Sequence, residues 1–193
     1  MKKIATAVYC VSGGTHVVMA YQQETVIGLK GYGGEPKAGE SLKECARREL
    51  DEESGGVPEN HVNHMESGGI TIDHLDDLEL VAVIDFYNGT EEDVSFGGPS
   101  SQVFFYRCVK FKGMAISTKE MIHPRLYPIG NLPFDQMIIG DELIIPDVLA
   151  GRPIRGYLRR TSDFKKIIDH KINPCESEEL LLLEKQYMSS QVQ

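Results

Sequence analysis

Short runs of apolar residues, separated by turn-forming residues, occupy most of the chain. Some runs alternate with polar residues and others are continuous, and both patterns are typical of β-strands. Strands are predicted at 4–11, 16–21, 78–87, 102–111, 125–129, 154–160 and 164–168. The tetrapeptide 12–15, Ser-Gly-Gly-Thr, predicts a tight turn between the first two. The runs at 78–87 and 102–111 are expected to form a hairpin at the edge of a functional cleft, and the last two a closing hairpin.

Three other regions have the period or the start signals of helices. A helix is predicted over 41–54, helical segments between 132 and 149, and a terminal helix over 177–188. The leucines of the terminal helix are expected to pack on the same chain, with packing on a second copy as the alternative. Strands arranged around one central helix, with other helices later, predict an α+β fold in which a mixed β-sheet is sandwiched between α-helices.

The helix predicted over 41–54 places acidic side chains beside its own apolar stripe. That stripe consists of Leu42, Ala46 and Leu50. On a helical wheel Glu49 and Glu53 fall within about 20–30° of Leu42, and Glu52 flanks them. The opposite, solvent side is predicted to carry Lys43, Glu44, Arg47 and Asp51. Like charges held together at a partly buried site repel unless a cation neutralises them, and Mg²⁺ is the hard cation that prefers oxygen ligands. A solvated, charged helix is the alternative.

The segment before this helix is rich in glycine. Gly31, Gly33 and Gly34 are expected to let the backbone approach a ligand closely. The loop leads to a helix N-terminus, where free N–H groups favour anions. Ser41 is predicted to cap the helix, with Glu44 completing a capping box.

The spacing of these residues resembles the signature of Nudix hydrolases. The fixed positions are Gly34, Glu40, Arg48-Glu49-Leu50, Glu52-Glu53 and Gly55, and the chain departs only at Gly56, where the family usually has an aliphatic residue. The resemblance implies a Nudix fold, and a Nudix hydrolase domain is predicted over 1–170, followed by a helical tail over 171–193 that packs on it. It also implies hydrolysis of a nucleoside diphosphate linked to a further group.

The same resemblance implies roles for individual residues. Glu49, Glu52 and Glu53 would bind Mg²⁺, or alternatively Mn²⁺, with help from the carbonyl of Gly34. Arg48 would orient a glutamate by ion pairing, and Glu40 would brace the loop. Glu120 is the candidate for a later carboxylate that approaches the metal and serves as a general base; a solvated loop glutamate is the alternative. The catalytic set is therefore predicted to be Arg48, Glu49, Glu52, Glu53 and Glu120.

A second resemblance covers the C-terminal half. The runs at 126–129, 131–137, 141–143 and 154–157 are similar to those of MutT-like, mammalian-type oxidised-purine nucleoside triphosphatases. The base and substrate site carried over from them comprises Thr6, Lys30, Gly33, Gly34, Met137, Ile138, Gly140 and Asp141. The relatives have Asn in place of Lys30, Trp in place of Ile138, an aspartate pair in place of Gly140-Asp141, and Lys in place of Glu35. The missing Trp removes a stacking surface, and Asp141 has a helix N-cap as its alternative role, with Ile144 and Ile145 in the core.

The composition of the chain limits the classes of molecule that it is expected to bind. The net charge of −9 argues against a long nucleic acid, which needs a basic surface, but not against a small nucleotide that binds with Mg²⁺. The sequence contains no run of 18 apolar residues, so it predicts no transmembrane helix and no membrane partner. Four scattered cysteines predict reduced thiols and a cytoplasmic location. His61, His64 and His74, in a polar stretch at 55–77, match no metal-ligand spacing and predict a solvated loop.

Three functions are consistent with these patterns. The first is a Mg²⁺-dependent nucleoside triphosphate diphosphatase, whose substrates include nucleotides with an oxidised purine base. The second keeps the chemistry but takes a dinucleotide polyphosphate, ADP-ribose or a nucleotide sugar. The third is a binding module that has lost turnover, which the retained acids and Arg48 disfavour. The chain is expected to be a monomer or a homodimer.

Overall fold

A computed structural model describes residues 2–23, 28–56, 68–89 and 98–190. His61, His64 and the acidic run 91–93 lie outside these residues. The strands are β1 Lys3–Ser12, β2 His16–Gln22, β3 Leu29–Lys30, β4 Gly69–Thr71, β5 Leu78–Gly89, β6 Ser101–Cys108, β7 Lys112–Met114, β8 Met121–Pro128, β9 Ile154–Thr161 and β10 Ile167–Pro174. The helices are α1 Leu42–Ser54, α2 Ile145–Ala150 and α3 Ser177–Ser190, with 3₁₀ turns at Leu75–Asp77, Ile129–Asn131, Phe134–Gln136 and Asp141–Leu143.

A mixed sheet forms the centre of the molecule. Its strand order is β10-β9-β5-β6-β1-β2-β3, and β8 also pairs with β2. The β1–β6 and β5–β9 pairs are parallel and the other pairs are antiparallel. β4 and β7 form a separate two-stranded sheet. The hairpin predicted from 78–87 and 102–111 is therefore the β5–β6 pair, and it lies in the middle of the main sheet.

The sheet is covered by helices on both faces, which confirms the predicted α+β class. Successive residues of β1 point to opposite faces, so Val8 and Cys10 belong to one core and Tyr9 and Val11 to the other. The first core also contains buried residues of α1 and Leu180 of α3. The second contains buried residues of α2.

Helix α1 begins and ends as the sequence predicts. The Ser41 hydroxyl accepts the Glu44 N–H and the Glu44 carboxylate accepts the Ser41 N–H, which is the capping box. The helix ends at Gly55, whose φ of 88° lies in the left-handed region that glycine adopts readily. The helix buries one apolar face against the sheet, as Leu42, Cys45, Ala46 and Leu50.

The predicted solvent side of α1 is only partly exposed. Glu44 is exposed, but the side chains of Lys43, Arg47 and Asp51 are 25%, 29% and 18% exposed. The stretch 55–77 was predicted to be a solvated loop, and the end of it covers this side. The Ser54 hydroxyl accepts the Ile70 N–H at 2.7 Å, which fixes β4 beside the end of the helix.

Gly56, the one departure from the family pattern, has a packing reason. A Cβ on Gly69 would lie 2.1 Å from the backbone nitrogen of Gly56, so the two backbones are in close contact. A Cβ on Gly56 would itself lie 3.0 Å from the carbonyl oxygen of Asp51. The helix still ends at Ser54, as the pattern requires.

Several element boundaries differ from the sequence expectation. β6 ends at Cys108 rather than at 111, β10 extends to Pro174 instead of ending at 168, and the region 132–149 is broken into short 3₁₀ turns before α2. β8 begins earlier than predicted, at Met121, although it contains Pro124. The strand accommodates this proline because His123 has a positive φ of 54° and the register with β2 shifts between Met19 and Tyr21.

Helix α3 packs against the sheet through one side. Leu180 is fully buried, and the Tyr106 hydroxyl donates to the Glu184 carboxylate. Leu181 and Leu182 are 42% and 57% exposed. The predicted division between 170 and 171 falls inside β10, and it stays a prediction. Among the described helices, none combines the length and apolar content that crossing a membrane requires.

Candidate active site

The glycine loop, residues 31–34, is hydrogen-bonded to the backbone of β1. The Thr6 N–H donates to the Gly34 carbonyl at 2.9 Å, and Val8 and Tyr32 exchange two backbone hydrogen bonds. A Cβ on Gly33 would lie 2.1 Å from the Thr6 carbonyl oxygen, and one on Gly31 would lie 2.4 Å from that of Val8. Gly33 and Gly31 are therefore required by close packing against β1, and the close approach to a ligand that the sequence suggested stays a prediction.

Gly34 lies directly against Glu49. A Cβ at Gly34 would come within 2.6 Å of the Glu49 carboxylate, so the absence of a side chain here leaves room for that acid. The Gly34 carbonyl, the predicted metal ligand, accepts the Thr6 N–H and is 3.4 Å from the Thr6 hydroxyl and 3.6 Å from the Cys45 thiol. Its metal role stays a prediction, because a metal would have to share this oxygen with these donors.

Arg48 is the centre of an ion-pair network. Its Nε and Nη2 donate to the two carboxylate oxygens of Glu40 at 2.8 and 3.0 Å, and Nη1 donates to Glu49 at 2.6 Å and to Glu52 at 3.1 Å. Nη2 also donates to the Glu35 carbonyl at 3.3 Å. The hydrogen bond from Arg48 lowers the pKa of Glu40, and Glu40 in turn raises the pKa of Arg48. Arg48 thus joins the loop to two acids of α1, and the orienting role that the family resemblance implies for it stays a prediction.

Glu53 is the buried acid of the helix. It is 4% exposed, and its Oε2 accepts the Gly33 N–H at 2.7 Å. Burial raises the pKa of Glu53 to about 7. The positive charge of Lys30 and the Gly33 hydrogen bond oppose this rise, whereas the negative charges of Glu49 and Glu120 add to it.

Glu120 lies on an exposed loop that is tied to the end of α1. The Thr118 hydroxyl donates to the Glu53 carbonyl at 3.3 Å and accepts the Glu120 N–H at 3.3 Å. Its charge acts on Glu53, so the loop brings it into the same electrostatic environment. Its role as general base is untested by this geometry and stays a prediction.

The acids suit a hard divalent cation by donor type, but they do not form a preassembled cluster. Within the described residues, no three His, Cys, Asp or Glu side chains converge closely enough to hold a metal. Glu49 and Glu52 are held by Arg48, and Glu53 by the glycine loop. A cation would offset the repulsion that Glu49 and Glu120 exert on the buried Glu53, so the residues present fit such an ion.

A cleft of about 190 Å³ opens beside the glycine loop. Of the predicted substrate residues, those that line it are Thr6, Lys30, Gly33, Gly34, Ile138 and Asp141. Met137 is not among the residues that line the cleft; it is 8% exposed and packs in the second core. Gly140 is not among the lining residues either; a Cβ there would lie 2.4 Å from the Leu158 side chain, so it is a packing position.

Aromatic side chains that the sequence did not single out line the same cleft. These are Tyr9, Tyr32, Phe86 and Phe105. The rings of Phe86 and Phe105 have centroids 6.4 Å apart and are tilted by 47°. The missing tryptophan therefore does not leave the cleft without aromatic surface. β1 is far in sequence from β5 and β6, so only the parallel pairing of β1 with β6 brings Tyr9 to the same cleft as Phe86 and Phe105.

Asp141 is a buried acid of the cleft wall. It is 7% exposed, and its Oδ2 accepts the Ile138 N–H at 3.3 Å. Gly140, not Asp141, occupies the N-cap of the short 3₁₀ turn, so the alternative helix-cap role of Asp141 is wrong. Burial raises the pKa of Asp141 to about 7, while the positive charge of Arg160 and the Ile138 hydrogen bond lower it.

Arg160 is the second charged residue of the wall and was not predicted. It is 9% exposed, and burial lowers the pKa of Arg160 to about 10 although Asp141 opposes this. The only sequence signal was a run of two arginines at the end of a strand, which does not show which of them points inward.

The comparisons with known proteins agree with this geometry. The sequence model of the NUDIX domain matches residues 1–136. An oxidized purine nucleoside triphosphate hydrolase of Danio rerio is 28% identical over 146 residues, which cover 76% of this chain and 78% of that protein.

The fold is similar to that of solved structures. A MutT protein from Bacillus halodurans has a TM-score of 0.67 and 19% identity, over 89% of this chain and 97% of that chain. An ADP-ribose pyrophosphatase from Streptococcus suis has a TM-score of 0.51 and 15% identity, over 83% of this chain and 99% of that chain. Both identities are low, so these likenesses establish the fold alone. Because the NUDIX match spans more than half of the chain and includes the glycine loop and α1, this chain belongs to the Nudix hydrolase family.

Proposed function

We propose that this protein is a Mg²⁺-dependent diphosphatase that hydrolyses purine nucleoside triphosphates, oxidised purines included, to a monophosphate and pyrophosphate. The observation that carries the proposal is that the glycine loop lies between the cleft and the acidic residues of α1. Gly33 and Gly34 line the cleft, and the same two residues contact Glu53 and Glu49. The name of the Danio rerio relative, an oxidized purine nucleoside triphosphate hydrolase, supports the choice of substrate.

The cleft suits a base at one end and phosphates at the other. Aromatic rings offer a surface on which a base can stack, and such stacking contributes about 1–3 kcal/mol per base. Lys30 and the glycine loop lie toward the acids of α1 and suit the phosphate chain. Lys30 carries a positive charge that acts on Glu53, so it belongs to the same electrostatic environment as the acids.

Nudix hydrolases generally use a divalent metal, and the residues proposed to hold it here are Glu49, Glu52, Glu53 and Glu120. When bound, Mg²⁺ would supply charge stabilisation for the phosphoryl oxygens and a more acidic bound water. Arg48 orients Glu49 and Glu52 and fixes the loop through Glu40. Glu53 accepts the Gly33 N–H, so the glycine loop holds this carboxylate in place on the side of the cleft.

A substrate panel tests the proposal. The purified protein is incubated with Mg²⁺ and, separately, with 8-oxo-dGTP, dGTP, dATP, a dinucleotide polyphosphate, ADP-ribose and a nucleotide sugar, and the products are separated. The expected result is a nucleoside monophosphate and pyrophosphate from the triphosphates, at a higher kcat/KM than for the other classes. Cleavage restricted to ADP-ribose, the dinucleotide or the sugar nucleotide would overturn the substrate class. Nucleotide binding with no hydrolysis under Mg²⁺ or Mn²⁺ would overturn the enzyme reading.

A matched pair of variants links the activity to α1. Glu53→Gln is expected to lower kcat by about two to four orders of magnitude, because it removes a carboxylate that binds metal or takes a proton. Glu178→Gln removes the same charge from an exposed position in the first turn of α3 and is expected to leave kcat unchanged.

A further inference from the structure

Two nearly buried charged side chains of the cleft wall leave polar atoms unused. Arg160 donates through Nε to Asn88 Oδ1 at 3.0 Å and through Nη1 to the Ile139 carbonyl at 3.4 Å. Asp141 accepts the Ile138 N–H through Oδ2. In the part of the chain that the structure describes, Nη2 of Arg160 and Oδ1 of Asp141 have no hydrogen-bonding partner. A donor and an acceptor therefore remain available on one wall of the cleft.

The Arg160 guanidinium is fixed in place before any ligand binds. It lies 4.7 Å from the centroid of the Phe86 ring and 4.5 Å from that of the Phe164 ring. Its position on β9 is opposite Asn88 of β5, the residue whose side chain it contacts. A planar donor held in this way loses little conformational freedom when it forms a further hydrogen bond.

Arg160 and Asp141 act on each other without forming a salt bridge. Both side chains line the same cleft. The positive charge of Arg160 lowers the pKa of Asp141, and the negative charge of Asp141 raises the pKa of Arg160. Within the described residues, the hydrogen bonds of both side chains go to other partners. A flat ring edge placed against both groups would meet an acceptor beside a donor.

The chemistry of purines determines which ring edge matches. A 6-oxopurine presents the O6 acceptor next to the N1–H donor, whereas a 6-aminopurine presents an amino donor next to the N1 acceptor. We propose that Arg160 and Asp141 together select 6-oxopurine bases, with Arg160 donating to O6 and Asp141 accepting from N1–H. The 2-amino group of guanine offers Asp141 a second donor. This inference rests on the proposed function and names the base class of the same site.

The test compares two nucleotides that differ at position 6 and lack the 2-amino group. The kcat/KM values for dITP and dATP are measured for the wild type, Arg160→Gln, Arg160→Lys and Arg159→Gln. Arg159 is the matched control, since it is the adjacent arginine, lies 5.3 Å and 5.1 Å from the ring centroids of Tyr87 and Tyr157, and does not line the cleft.

The wild type is expected to prefer dITP by about tenfold or more, since one well-formed arginine contact to a base distinguishes edges by about this factor. Arg160→Gln is expected to lower the ratio severalfold, although not fully to one because Asp141 still accepts from N1–H. Arg160→Lys is expected to give an intermediate value, and Arg159→Gln to leave the ratio unchanged. A merely structural role would lower both kcat/KM values equally and preserve the ratio, which would overturn the inference. A wild type that does not distinguish dITP from dATP would also overturn it.

Binding of the monophosphates separates this inference from the proposed function. The dissociation constants of dIMP and dAMP are measured by calorimetry for the same four proteins, with no turnover required. If no triphosphate is hydrolysed, the proposed function fails, and the ratio of these constants still decides the role of Arg160. If Arg160→Gln does not fold, as judged by circular dichroism, Arg160→Lys retains the buried charge, and a ratio equal to that of the wild type would overturn the inference.

Discussion

At the scale of single residues, the three acids of α1 have three different environments. Glu53 is buried against the glycine loop, Glu49 is partly buried between Gly34 and Arg48, and Glu52 is 44% exposed. The helical wheel predicted that Glu49 and Glu53 point inward. It could not predict that the loop donates an N–H to Glu53, because that contact depends on how 31–34 pack along β1.

Glu53 is predicted to destabilise the metal-free protein at alkaline pH. Its pKa is raised from the model-peptide value of 4.5 to about 7 on folding, so the folded state binds more protons than the unfolded state between these values. The contribution of Glu53 to stability therefore falls as pH rises through this window and stays unfavourable above it. Glu53→Gln is expected to raise the melting temperature at pH 8 in EDTA by about 2–4 °C, and by much less at pH 5.

Glu52→Gln is the control for this measurement, because its side chain is 44% exposed and carries little burial cost. It should show no comparable difference between the two pH values. If Glu53→Gln and the wild type melted at the same temperature at pH 8, burial of the ionised Glu53 carboxylate would not destabilise the protein, and this prediction would be wrong.

Arg48 is predicted to position Glu49 and Glu52, because its planar guanidinium forms several hydrogen bonds at once. Arg48→Lys keeps the charge but cannot reproduce the paired bonds to Glu40 together with those to Glu49 and Glu52. The expected result is a fall of about 10–100-fold in kcat and a higher Mg²⁺ concentration for half-maximal rate, as found for residues that orient metal ligands. Arg47→Lys, on the other side of the helix, is the control. A normal Mg²⁺ dependence of Arg48→Lys would exclude this role.

At the scale of elements, local signals predicted α1 well and the C-terminal half less well. The capping box and Gly55 mark both ends of α1 within the sequence itself. The region 132–149 has no such capping box, and Gly140, with its positive φ, precedes a separate 3₁₀ turn before α2, whose first turn contains Pro146. β4 and β7 have three residues each and no clear alternation, and their pairing depends on contacts with the end of α1 that single-sequence patterns do not contain.

Helix α3 offers a direct test of packing on the same chain. Leu180 is fully buried and Leu182 is 57% exposed, so the two leucines of one helix serve as target and control. Leu180→Ala is expected to lower the free energy of unfolding by about 2–5 kcal/mol, because it leaves a cavity in the core. Leu182→Ala should change it by about 0.5 kcal/mol or less. Chemical denaturation at several protein concentrations checks this, and equal effects of both substitutions would contradict the packing.

At the scale of the whole molecule, the sheet assembles a site from distant segments. The acids come from one helix with a recognisable spacing, so the sequence predicted them. The cleft combines β1, the glycine loop, the ends of β5 and β6, the 138–141 turn and β9. Arg160 was missed because no local pattern shows that parallel pairing brings β9 beside β5. Phe86 and Phe105 lie on the two strands of the predicted hairpin, but the strand pattern alone does not show that they line the cleft.

Mg²⁺ is predicted to stabilise the folded protein in the absence of nucleotide. A ligand that binds the native state raises stability in proportion to the logarithm of its concentration above its dissociation constant. The melting temperature should rise with MgCl₂ and should not rise with KCl of equal ionic strength. The combined variant Glu49→Gln with Glu53→Gln is expected to lose this increase, and its persistence there would place the cation elsewhere.

The central claim is that α1 holds Mg²⁺ against the phosphates of a nucleotide whose base occupies the neighbouring cleft. A crystal structure with Mg²⁺ and a non-hydrolysable nucleoside triphosphate tests it most directly. The ion is expected on Glu49, Glu52 and Glu53, and the base among Phe86, Asp141 and Arg160. An ion bound away from α1, with those carboxylates facing solvent, would contradict it.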